Sequence, residues 1–201
     1  MATAAKSSSS KSAAARKSSG RKRRTARRDP LAVRLLKADH REVEGWFDEY
    51  EQLEKDAEKL ELFQKIALAL KVHTTIEEEI FYPEERGDVE EDMLHEAYVE
   101  HDGAKKLIAE IEAMKPGEEF YDAKVKVLGE YIKHHVKEEE QRGGMFSKAQ
   151  SSDMDLAELG RQMSERKLEI MGEGSEGMGS RRPPSQSQGR TRRGTRELTG
   201  R

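Results

Sequence analysis

From residue 30 onward the apolar side chains recur every three or four positions. Three, seven, ten and thirteen residues after His40 stand Val43, Phe47, Tyr50 and Leu53, and the same offsets from His101 give Ala104, Ile108, Ile111 and Met114. Counting back three, seven and ten residues from His73 gives Leu70, Ile66 and Phe63, and from His135 it gives Ile132, Leu128 and Val125. A period near 3.6 is that of an amphipathic helix, so the chain predicts four helices, each with a histidine inside its buried stripe. Breakers divide them. Asp29-Pro30 is a capping acid before a proline suited to a first helical turn, which predicts a first helix running to about Lys55. A second begins near Lys59 and stops near Tyr82, because Pro83 restricts the residue before it. Asp88-Val89-Glu90-Glu91 reads as a capping box for the third, which ends at Pro116-Gly117. The fourth runs to about Gln141 and is broken by Gly143-Gly144. Ser152 or Asp153 then caps a fifth helix with Leu156, Leu159, Met163 and Ile170 on roughly one face. The expected fold is all-α: an up-down antiparallel four-helix bundle over residues 30–148, a short accessory helix over 149–171, and polar tails.

Charge redraws the ends of this picture. The 201 residues carry 37 Lys+Arg against 40 Asp+Glu, and this near-neutrality is a sum of opposites. Residues 1–29 are net +9 and residues 172–201 net +4, which leaves 20 basic and 36 acidic residues in the middle, net −16. Both ends lack the apolar side chains needed to form a core and are expected to be disordered. The Arg21–Arg28 cluster suits weak contact with nucleic acid or an anionic surface, an organellar transit peptide, or a merely solvating tail. The acidic middle argues against nucleic-acid binding by the bundle itself. There is no apolar run of the roughly 20 residues that span a bilayer and no secretory apolar segment, so a cytoplasmic protein that does not cross a membrane is expected. The absence of cysteine rules out a disulfide scaffold, a thiolate-held metal and a thiol nucleophile.

The chemistry lies in an internal repeat. His40 and His73 are 33 residues apart and His101 and His135 are 34 apart. His73 and His135 each have a glutamate four residues on, Glu77 and Glu139, on the same buried face. Burying one unpaired polar group costs on the order of 1–3 kcal/mol, and a charge costs more, so six such groups converging on one interior demand a partner. Imidazole and carboxylate together suit iron, manganese or zinc. Six ligands in two symmetric sets exceed the needs of one tetrahedral zinc, whereas two octahedral ions bridged by carboxylates would use them all. His95 falls about 120° off the stripe at roughly 100° per residue and is expected at the surface. The adjacent His134 has Lys124 at its −10 position, so the register favours His135. Glu44, Glu78, Glu138 and Glu140 are expected to be solvated or to support the ligands from behind.

Asp39-His40-Arg41-Glu42-Val43, His73-Thr74-Thr75-Ile76-Glu77-Glu78-Glu79-Ile80-Phe81-Tyr82-Pro83, Glu100-His101 and His134-His135-Val136-Lys137-Glu138-Glu139-Glu140 occur in the order found in hemerythrin-like, HHE cation-binding proteins, and residues 30–148 resemble that family. The resemblance implies a non-haem di-iron centre, with zinc or manganese less favoured. In it His40, His73, Glu77, His101, His135 and Glu139 match ligand positions and both glutamates bridge. Oxygen carriers of the family have a second histidine on the third helix. Here Ala97 and Lys105 flank His101 at −4 and +4, which leaves one iron more open, or filled by Tyr98 or water, and argues against reversible carriage. The Phe-Pro pair usual soon after the second acidic run is replaced by Gln141-Arg142-Gly143-Gly144 before Met145-Phe146-Ser147. The implied function is sensing or handling of O2, NO or peroxide, or tracking of iron. The alternatives are a di-iron enzyme acting on peroxide or NO, although the chain shows no dedicated acid–base residue beyond the ligands, and a nucleic-acid-associated protein working through its tails.

Overall fold

A computed structural model describes residues 28–179, with side chains placed to residue 172. The N-terminal basic block lies outside the described residues apart from Arg28 and Asp29, and so do residues from 180 onward; the last helix runs to Gly179, eight residues into the block expected to be disordered. Four long helices form the bundle: α1 (Leu31–Tyr50), α2 (Asp56–Ile76), α4 (Glu91–Glu112) and α5 (Tyr121–Glu140). Three further helices are α3 (Tyr82–Glu85), α6 (Met145–Ala149) and α7 (Leu156–Gly179). α1 packs on α2 and α5, and α4 packs on α2 and α5, which closes an up-down antiparallel square. The stripes read from the sequence point inward, and Val43, Ile66, Leu70, Ala104, Ile108, Leu128 and Ile132 are all buried. Among the described residues no helix is long and apolar enough to cross a membrane.

Helix boundaries depart from expectation where a side chain found a better partner. Asp29 does not cap α1. Pro30 holds the N-cap position, and Asp29 instead pairs with Lys37 at 2.8 Å. α1 ends at Tyr50, five residues early, and α2 begins at Asp56. The Asp88 capping box does not form: α4 starts at Glu91 behind Glu90, with no side-chain cap. α4 also ends at Glu112, four residues short of Pro116. The fifth helix is capped by Asp155 rather than Ser152 or Asp153, its Oδ1 accepting from the amides of Ala157 (3.2 Å) and Glu158 (3.0 Å).

Pro83 marks the largest difference. The helical path does not stop at Tyr82 but widens into a π-turn over Glu77–Phe81 and continues as α3, with Pro83 in its first turn. Proline lacks an amide hydrogen and its ring collides with the carbonyl four residues back. A local change to i→i+5 bonding shifts the ladder just before that collision, and such turns concentrate at functional sites. At the same end of the bundle Gly144 lets the chain fold back over α5: a Cβ there would lie 2.2 Å from the carbonyl oxygen of Glu138.

Two apolar clusters fill the interior. One is built on Leu36, Ile76, Phe81, Tyr82, Leu94, Ala97, Met145 and Phe146, and the other on Val43, Leu70, Ala104, Ile132 and Val136. On α1, α2 and α4 the histidine sits at the level where one cluster gives way to the other. α7 lies across α1 and α2 and adds Leu156, Leu159 and Met163 to the first cluster. Since Met163 is fully buried, Met163→Ala should lower unfolding free energy by about 2–5 kcal/mol. Urea denaturation followed by circular dichroism measures this; an unchanged midpoint would mean that α7 does not belong to the cooperative core.

Candidate metal centre

All six ligand positions expected from the repeat meet between the two clusters. His40, His73, His101, His135, Glu77 and Glu139 are each buried, none more than 5% exposed. They fall into two overlapping groups, His40, His73, Glu77 and Glu139, and Glu77, His101 and His135. The Nε2 atoms of His40 and His73 are 3.0 Å apart, and those of His101 and His135 are 3.2 Å apart. Glu77 Oε2 lies between the pairs, 3.2 Å from His73 and 3.3 Å from His101. Glu139 spans the opposite side, Oε2 3.4 Å from His40 and Oε1 3.7 Å from His135.

The outer ring nitrogens explain why the inner ones face each other. His73 Nδ1 meets Asp39 (3.5 Å), His101 Nδ1 meets Glu78 (2.9 Å), His135 Nδ1 meets Glu100 (2.7 Å) and His40 Nδ1 meets Glu140 (2.8 Å). A carboxylate can only accept, so each Nδ1 donates, and a neutral imidazole then turns a bare lone pair inward. The four contacts form a closed ring in which α1 holds the histidine of α2, the π-turn after α2 holds that of α4, α4 holds that of α5, and α5 holds that of α1. Every acid in the ring is the chain neighbour of a candidate ligand.

Bare nitrogens about 3 Å apart repel, and that separation is the edge between two ligands at right angles, each about 2.1 Å from one ion. Glu77 Oε1 and Glu139 Oε2 add buried carboxylate oxygens without hydrogen-bond partners. The donor set therefore fits a cation in each group. In the metal-free protein protons take that place. Burial pushes His73 down, but Glu77, Asp39 and Glu139 outweigh it and raise the imidazole to about 10. His135 is raised to about 9 against the same desolvation by Glu139 and Glu100. Burial pushes Glu77 up, yet His73 and His101 hold it well below the usual carboxylate range. Glu139 is raised by burial and by Glu77.

Tyr82, quoted within the second motif but given no role there, enters the site. Its fully buried Oη donates to Glu139 Oε1 at 3.0 Å and lies 3.3 Å from His101 Nε2. Burial and both glutamates push the phenol well above its ordinary range, so it stays protonated. Tyr98 packs edge-on against Tyr82, so the tyrosine beside the centre is Tyr82. On an α-helix Tyr82 would point away from Glu77, five residues earlier; the π-turn returns it to that face. Ala97 is buried and Lys105 pairs with Glu78 at 2.6 Å, so neither reaches the inner atoms. His95 is exposed, as its register predicts, and His134 is exposed and separate from the inner set. Of the four neighbouring glutamates, Glu78 and Glu140 support histidines, Glu44 pairs with Arg41 and Glu138 pairs with His134. Glu85 is buried with both oxygens unpartnered, and burial together with Glu139 and Glu77 raises it to about 9.

Beside the histidines lies a small cavity of about 20 Å³, bounded by Val43, Leu70, Ile132 and Val136 as well as by the four imidazoles. Its size matches a single small molecule.

The sequence model of the hemerythrin HHE cation binding domain matches residues 31–143. A protein from Nostoc sp. (strain PCC 7120) named DNA nickase is 30% identical over 106 residues, which are 53% of this chain and 30% of that protein. This chain thus spans under a third of that relative's length. The crystal structure of a hemerythrin HHE cation binding domain-containing protein from Mycobacterium kansasii shares the fold, with a TM-score of 0.63 at 20% identity over 75% of this chain and 93% of that one.

Two outcomes follow from the geometry. His135→Ala should lower metal content per chain, while His134→Ala leaves the tightly held metal at the wild-type level; inductively coupled plasma mass spectrometry of dialysed protein decides, and the reverse result would shift the register by one residue. Because His73 and His135 hold protons up to about 10 and 9, metal must displace them. Affinity should rise with pH below those values, about tenfold per unit for each proton released. Calorimetry in buffers of different ionisation enthalpy counts those protons.

Proposed function

Because this chain belongs to the hemerythrin HHE cation-binding family, we propose that it is a non-haem di-iron protein that senses or handles O2, NO or peroxide, or tracks iron. The observation that carries this reading is the pair of facing imidazole couples with Glu77 and Glu139 between them. His40 and His73 would hold one ion and His101 and His135 the other, with both carboxylates shared. Imidazole and carboxylate suit iron more closely than all-oxygen sites suit it, and the duplicated set exceeds what one zinc requires. Bound there, iron would supply a reversible one-electron couple and Lewis acidity toward a small molecule.

The chain's own groups prepare that position. Asp39, Glu78, Glu100 and Glu140 fix the imidazole orientations from behind, which raises their basicity as ligands. Val43, Leu70, Ile132 and Val136 wall the cavity with hydrocarbon, which admits a diatomic molecule and disfavours bulk water. Tyr82 holds a proton at Oη against Glu139 and His101. A group that keeps a proton at the site favours the enzymatic alternative, turnover of peroxide or NO, over a purely passive receptor. Association with nucleic acid through the basic tails is the third reading. The relative named DNA nickase lends it support only by that name.

Anaerobic loading with ferrous iron should give two iron atoms per chain and a visible spectrum that changes on exposure to O2, NO or peroxide. A reversible change supports a sensor and consumption supports an enzyme. Binding of a single zinc with no affinity for iron would overturn the di-iron reading. Tyr82→Phe should leave iron content unchanged and, if peroxide is consumed, slow its consumption by about 100-fold.

A further inference from the structure

Three corners of the acid ring are neutralised alike. Asp39 pairs with Lys167 (2.5 Å), Glu78 with Lys105 (2.6 Å) and Glu140 with Arg41. The fourth corner differs. Glu100 gives Oε2 to His135 at 2.7 Å, and its Oε1 faces His134 Nε2 at 3.7 Å, which in turn lies 3.3 Å from Glu138 Oε1. Among the described residues no lysine or arginine pairs with Glu100 or Glu138. A cationic side chain is thus replaced by an imidazole and a second carboxylate, and the three donor atoms lie within 4.8 Å of one another.

One imidazole and two carboxylates form a chelating set for a divalent transition metal. His134 and Glu138 stand four residues apart on α5, one face of one helix, and Glu100 meets them from α4. The side chains grade from solvent to interior: His134 is 56% exposed, Glu138 33% and Glu100 11%. A second observation leads inward from there. A small cavity is lined by Glu100 and Glu138 on its outer side, and by His135, Glu139, Ala97 and Met145 on its inner side. Glu139, 2% exposed, lines it while its Oε2 has no hydrogen-bond partner. Each outer residue precedes an inner ligand in the chain, as Glu100 precedes His101, His134 precedes His135 and Glu138 precedes Glu139.

We propose that Glu100, His134 and Glu138 form an outer divalent-cation site that receives metal from solvent and passes it to the buried pair. The proposal rests on the di-metal reading of the inner residues and adds the route by which they are filled. The acidic surface of the bundle concentrates cations, and the exposed imidazole captures one at low desolvation cost. Glu100 touches both His134 and His135, so the outer and inner sites share one carboxylate. Partial exposure makes the outer site the weaker of the two, as a transfer point must be.

Cobalt(II) titration of the full chain, by equilibrium dialysis and stopped-flow absorbance, tests this. Wild-type protein should show a tight class and one weaker ion. His134→Lys restores at this corner the arrangement of the other three; it should abolish the weaker ion, keep the tight class, and slow its filling about tenfold, the lower end of what electrostatic capture contributes to on-rates. Glu138→Gln should do the same without adding charge. Retention of the weaker ion in both variants, or filling at the wild-type rate, would overturn the proposal. A failure of the di-metal reading itself would appear elsewhere, as a tight class that is absent or that survives His135→Ala.

Discussion

Four imidazole lone pairs turned toward one another in a dry interior are the constraint on which the rest of this structure depends. Neutral nitrogens at about 3 Å repel, and two glutamates at the same level add charge that water cannot solvate. A polar group left unsatisfied there costs on the order of 1–3 kcal/mol, so the bundle must supply either cations or protons. The raised histidines and the depressed Glu77 of the metal-free protein are the proton solution. The facing geometry, with donors converging on each histidine couple, is the arrangement that bound cations use. Apolar packing is divided by this requirement into a cluster on either side, with Leu36 and Ile76 on one and Val43 and Leu70 on the other.

Much of this was legible in the chain because it depends on spacing alone. Helical periodicity places His40, His73, His101 and His135 inward whatever the tertiary details, and the i, i+4 offset fixes Glu77 and Glu139 beside two of them. What escaped the sequence depends on partners far away in the chain. Asp39 and Glu100 are visible as acids preceding a histidine, but the histidine that each supports lies on another helix. Tyr82 was hidden for a different reason: regular α-helical counting points it away from Glu77, and only the π-turn before Pro83 returns it. The helix ends failed where capping competed with other pairing, as when Asp29 turned to Lys37.

The same division into inner and outer layers bears on function. Inner atoms select the ion by geometry, and the acids behind them set orientation and charge. Tyr82 adds a buried phenol that keeps its proton against Glu139, a group that the repeat alone does not announce. The cavity bounded by Val43, Leu70, Ile132 and Val136 is small and largely hydrocarbon-walled, so the space beside the histidines is shaped by exclusion.

The ring of acids also has a direction. On α1 and α4 the supporting acid comes one residue before the ligand, as Asp39 and Glu100 do, and on the π-turn that continues α2 and on α5 it comes one residue after, as Glu78 and Glu140 do. A right-handed helix advances by about 100° per residue, and antiparallel neighbours run in opposite directions. A step backward on one helix and a step forward on the next therefore turn in the same rotational sense when viewed down the bundle axis. All four acids consequently aim at the next helix around the square, never at the previous one. An up-down bundle can in principle wind clockwise or counterclockwise with equal burial of its stripes. Here the sense of the acids and the winding together assign each acid the histidine of the next helix, so four hydrogen bonds at the centre join consecutive helices into one closed ring.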